Sequence, residues 1–131
     1  SKFLLVAVIV AFAQASFSQS IHAEQNCDPP FEITLSYLTD EIINIGWYAE
    51  SETEWNVEIG EAGFAPGAGD HLIKKRVKGV PFSQNSCRFY NLPAGGTLHA
   101  YIKSVCACGT NSEWIGPVSF IIEPTSSVRS K

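Results

Sequence analysis

A chain of 131 residues with 45% apolar and 17% charged residues has the length and profile of one globular domain, not of a disordered segment. Its formal net charge of −4 argues against a broadly basic, nucleic-acid-binding surface. The one cationic run is Lys74-Lys75-Arg76 with Lys78, and Val77 interrupts it.

Lys2 gives a short positive start, and Phe3 to Phe12 is an unbroken apolar run. Ala11, Ala13 and Ala15 then offer small-residue cleavage patterns, so residues 1–15 are expected to be a cleaved signal peptide. The run is about half of the roughly 20 apolar residues a spanning helix needs. No later run is long enough to span, so no membrane contact is expected after cleavage. Residues 16–30 read as a polar entry segment ending in Asp28-Pro29-Pro30, and Pro-Pro favours an extended chain. Cys27, Cys87, Cys106 and Cys108 are an even number behind an export signal. That predicts two disulfides, an oxidising compartment, and a secreted or cell-surface location. The C-x-C pair lacks the two-to-four-residue gap common at zinc sites, so neither a metal nor a cofactor is expected.

From residue 31 to 123 nearly every segment alternates with period two, as half-buried strands do. Phe31, Ile33, Leu35 and Tyr37 form a first inward row. Ile43, Ile45 and Trp47 form a second, and Trp55, Val57 and Ile59 a third. A glycine-rich connection, Gly60 to Asp70, follows, with Phe64 placed to tuck back against a sheet as an anchor. A fourth strand is predicted over His71 to Val77, a fifth over Cys87 to Leu92, and a sixth along Leu98, Ala100, Ile102, Ser104 and Cys106. The seventh runs from Trp114 to Ile122, where Gly116-Pro117 suits an edge strand or a bulge. Residues 124–131 are polar and read as a disordered tail. Seven short strands in about a hundred residues predict an all-β, two-sheet antiparallel sandwich. Trp47, Leu92, Ile102 and Phe120 are expected in its core.

No catalytic constellation emerges. There is no G-x-S-x-G elbow, and His71 and His99 read as surface histidines. Glu50, Glu52, Glu54, Glu58 and Glu61 read as a solvated acidic loop and strand face, since the calcium-loop pattern is missing. The glycine-rich loop joins two strands and lacks G-K-[ST], so it is not a phosphate cradle. Outward aromatics are the best binding candidates: Tyr101, Trp114 and Tyr48.

From Cys27 to Ile122 the chain resembles a fibronectin type III domain, especially the version in secreted and surface proteins of Bacteroidetes-type bacteria. Four segments carry the resemblance: Trp47; Val57 through Gly69; Leu92-Pro93-Ala94-Gly95-Gly96-Thr97; and Tyr101 through Cys106 followed by Ser112 through Phe120. It implies an immunoglobulin-like sandwich in which all four cysteines gather at one pole. Cys27–Cys106 with Cys87–Cys108 is then the favoured pairing, the swapped pairing being close behind. The family usually places a tyrosine just after the turn, where this chain has Leu98; Tyr101 has the opposite parity and should face outward. The resemblance also implies a non-catalytic extracellular module for adhesion, spacing, or binding of a protein or glycan. The alternative is an accessory domain leading a longer secreted hydrolase, a peptidase or a glycan-degrading enzyme. An exposed edge strand could pair with another copy, although no motif argues for it.

Overall fold

A computed structural model describes residues 27–124. The expected signal peptide, most of the polar entry and all but the first residue of the tail lie outside the described residues. The strands are β1 (Phe31–Tyr37), β2 (Ile43–Tyr48), β3 (Glu54–Glu61), β4 (Ile73–Lys78), β5 (Gln84–Phe89), β6 (Thr97–Ser104) and β7 (Ile115–Ile121). All pairings are antiparallel. One sheet has the order β1-β2-β5 and the other β4-β3-β6-β7.

The alternating apolar rows explain why the two sheets close on each other. Ile43, Ile45 and Trp47 of β2 face Trp55, Val57 and Ile59 of β3 and Leu98, Ala100 and Ile102 of β6, and all are buried. Trp47, Leu92, Ile102 and Phe120 all lie in this core. Burying each large apolar side chain contributes about 1.5–3 kcal/mol. At the centre Trp47 and Trp55 meet edge to face, ring centroids 5.4 Å apart, a favoured geometry for two aromatic rings.

Simple alternation fails in four places, each with a physical cause. In β1 the register slips between Phe31 and Thr34, and Glu32 has φ 52°. The extra residue turns Phe31 out of the inward row and onto Tyr48, ring centroids 5.6 Å apart. Tyr37, at the other end of β1, is also exposed. Strand β5 starts at Gln84, three residues before Cys87, and ends at Phe89. Its predecessor loop is shorter than expected because Asn85 closes it: Asn85 Oδ1 accepts from Val80 N at 2.9 Å and Nδ2 donates to Val80 O at 3.0 Å. Strand β6 ends at Ser104, and Ala107–Gly109 form a 3-10 turn, so Cys106 and Cys108 are not on one continuous strand. In β7, Ala100 faces Val118 while Ile102 faces Ile115. The surplus residue falls at Gly116-Pro117, a bulge on an edge strand where proline's missing N–H costs nothing.

Leu98 is buried in the core, so no phenol serves at the expected corner. A different tyrosine ties the sheets. Tyr37 OH donates to Ile121 O at 2.9 Å, joining β1 of one sheet to β7 of the other.

Candidate functional site

The chain enters at the pole where β2 ends, β3 begins and β6 ends. Three links fix it there. Cys27 is disulfide-bonded to Cys106, 79 residues away. Asp28 N donates to Glu52 Oε2 at 3.0 Å, and Ser104 Oγ donates to Asp28 O at 2.7 Å. Glu52 and Ser104 are buried, so both bonds act where water competes little. The chain leaves β7 at the opposite pole, where Ile121 pairs with Thr97 at the start of β6.

The second expected disulfide is corrected at one of its ends. Cys87 is a free thiol. It sits opposite Ile45 in mid-strand, packed against the core, because β5 begins earlier than the sequence reading placed it. At about 3.3 Å per residue, that shift carries it roughly 10 Å from the entry pole. Burial pushes its pKa up to about 11, against a smaller opposing pull from the charge of Lys75. The side chain of Cys108 lies outside the described residues.

The expected aromatic surface divides between the sheets. Tyr101 and Trp114 are both on the four-stranded side, whereas Tyr48 is on the three-stranded side at the entry pole. Tyr48 stands there with Phe31, and loop 79–83 adds the exposed Val80 and Phe82. Tyr101 and Trp114 are only partly exposed, because the glycine-rich loop folds back over them. Phe64 meets Tyr101 edge to face at 5.4 Å. It also fills the space above Gly60, where a Cβ would come within 2.6 Å of its ring. Gly63 N donates to His99 Nδ1 at 3.1 Å, so this histidine holds the loop instead of standing free in solvent. Lys103 Nζ lies 4.7 Å from the Trp114 ring centre, occupying that ring face.

The same loop covers Glu58. Its side chain points away from the core, yet the residue is only 2% exposed. Gly67 N donates to Glu58 Oε1 at 2.9 Å, and His71 Nδ1 lies 3.7 Å from the same oxygen. Glu52 and Glu58 are therefore buried hydrogen-bond acceptors, which corrects the reading of a uniformly solvated acidic face. Glu54 pairs with Arg76. No group of three or more metal-ligating side chains converges among the described residues.

The interrupted basic run becomes β4. Ile73, Lys75 and Val77 turn toward the sandwich interior and Lys74, Arg76 and Lys78 outward. Lys75 crosses to the other sheet, where its ammonium donates to Arg88 O and lies 5.0 Å from the Phe89 ring centre. Its parity with Ile73 and Val77 was visible in the sequence. Its role is hidden there because alternation alone starts β5, its target, at Cys87, three residues after its actual start at Gln84.

Neither protein-family models nor curated proteins give a match to the sequence. Solved structures do match in shape. One is a myokine, with TM-score 0.53 and 14% identity, covering 75% of this chain and 99% of that one. Another is the fn3 domain of the human collagen alpha-1(XX) chain, with TM-score 0.53 and 18% identity, covering 76% of this chain and 88% of that one. The fold is fibronectin type III-like. At such identities the likeness concerns the fold alone.

Proposed function

We infer that this chain is a non-catalytic extracellular module that binds a protein or glycan partner, or spaces its neighbours in a longer assembly. The placement of the points where the chain enters and leaves the sandwich carries the reading. Entry and exit lie at opposite poles, and the entry is held by a disulfide and two hydrogen bonds to buried side chains. A domain pinned in this way transmits position from one neighbour to the next. The disulfide favours an oxidising compartment, and the apolar start of the sequence supports export. The finer likeness, to modules of secreted Bacteroidetes-type proteins, rests on the sequence segments alone.

The test is fractionation of cells expressing the full chain with a C-terminal epitope tag, followed by non-reducing peptide mapping. Tag in the medium or on the surface, with the Cys27–Cys106 peptide pair intact, is the expected result. A tag confined to the cytosol with both thiols reduced overturns the reading.

A further inference from the structure

A sandwich of two open sheets has four edge strands, here β1, β5, β4 and β7. Three are obstructed. Strand β1 is bulged at Glu32. Strand β7 carries Pro117, and Tyr37 OH both donates to Ile121 O and accepts from Ile121 N, at 2.9 and 3.4 Å. On β5 the Arg88 carbonyl accepts from Lys75. Strand β4 keeps unbroken register with β3 from Ile73 to Lys78, as β5 does with β2, and differs in that, among the described residues, no side chain bonds to the backbone of Lys74, Arg76 or Lys78.

The direction of its backbone groups follows from one hydrogen bond. Gly79 N donates to Thr53 O at 2.9 Å. Antiparallel ladders alternate, so the odd-numbered β4 residues turn their N–H and C=O to β3. Lys74, Arg76 and Lys78 turn theirs to the open side. The side chains of these same three residues are exposed, spaced about 6.6 Å apart along the strand. Arg76 is paired with Glu54. The carboxylate opposite Lys74 is that of Glu58, which is buried beneath the loop and bonded to Gly67. Lys74 and Lys78 have no ion pair of their own among the described residues, and Arg88 adds a cation on the neighbouring edge.

We propose that the β4 edge is a docking site for an extended acidic peptide segment of another protein, added to the four-stranded sheet as an antiparallel strand. Its backbone would pair with Lys74, Arg76 and Lys78, and its carboxylates would lie beside Lys74 and Lys78. This mode takes affinity from main-chain bonds and selectivity from alternate side chains. The same charges oppose pairing with the β4 edge of another copy, since like charges directly across a ladder repel. The proposal rests on reading the chain as a binding module and names the chemistry of its partner.

The probe is the capped peptide acetyl-Thr-Glu-Thr-Glu-Thr-Glu-Thr-amide, added to the full chain and followed by amide hydrogen exchange. The amides of Lys74, Arg76 and Lys78 should gain at least tenfold protection, and the Lys-for-Glu version of the peptide should give none. Changing Lys74→Glu and Lys78→Glu together should reverse the preference between the two peptides by at least tenfold. A Lys74→Gln/Lys78→Gln chain, which adds no new charge, should lose binding to the acidic peptide and gain none for the basic one. Equal binding of a backbone N-methylated acidic peptide overturns strand addition, because that peptide cannot form the ladder. Binding of a heparin dodecasaccharide without binding of the acidic peptide overturns it in favour of a glycan. Neither result alters where the tagged chain is found, so failure here is separable from failure of the export reading.

Discussion

The Tyr37 hydroxyl donates to the Ile121 carbonyl across 84 positions of sequence. The opposite flank has a counterpart, Lys75 donating to Arg88 O. Each open side of the sandwich is thus spanned by one side chain reaching a backbone carbonyl of the other sheet. Changing Tyr37→Phe keeps the ring and removes the link. A loss of about 0.5–1.5 kcal/mol is expected, toward the low end because the residue is exposed. Urea denaturation measures it. Faster exchange at the Ile121 amide should accompany the loss, and unchanged exchange there would show that the bond does not hold β7.

The Cys27–Cys106 bridge closes a long loop, with a sequence separation of 79. The chain-entropy model assigns such a loop about 4–5 kcal/mol, often less in practice. Thermal unfolding with and without a phosphine reductant should therefore show a large fall in midpoint. A change of only a degree or two would mean that Asp28, Glu52 and Ser104 hold the entry by themselves.

Cys87 should resist alkylation. With its pKa raised from 9.0 to about 11, the native thiol holds little thiolate at pH 8. Iodoacetamide followed by peptide mapping should label Cys87 slowly in buffer and rapidly in guanidinium. The raised pKa also sets a pH dependence. The unfolded thiol gives up its proton near pH 9 and the folded one near 11. Across that window the folded state binds more protons, so this group's contribution to stability is complete below pH 9 and declines as pH rises toward 11. Stability of a Cys87→Ala chain should fall less steeply over the same interval.

Gly60 leaves room for the Phe64 ring. A Cβ there would come within 2.6 Å of Phe64 Cγ, an atom close to the side chain's root. Gly60→Ala should dislodge the ring and loosen the loop while the core stays intact. Loss of exchange protection at the Gly63 and Gly67 amides, with Trp55 and Val57 unchanged, is the expected signature. Phe64→Ala should give the same pattern.

The strand rows of β2, β3 and β6 are legible because each places apolar residues at alternate positions facing one core. Such a pattern fits one register only, since a slip of one residue would expose the whole row. The edges were less legible for the same reason. Strand β5 contributes only Cys87 and Phe89 to the interior, so its start depended on Asn85 closing the preceding loop, a contact between residues that no period reports. The outward glutamate at position 58 read as solvated because its cover comes from Gly67, nine residues on. Tyr101 and Trp114 were placed on the outside by parity, but parity does not say that a glycine-rich loop will lie across them.

The disulfide has a mechanical consequence. A pull on the two ends of the domain enters at Cys27 and passes straight through the covalent bridge to Cys106. Everything between these residues, β1 through β6, lies outside the line of load. Only the stretch beyond Cys106 can lengthen, at roughly 3.5 Å per freed residue, by peeling β7 away from β6. Under oxidising conditions the module would act as a short, stiff link with one detachable strand; after reduction it would pay out nearly its whole length, a difference that single-molecule stretching can read directly.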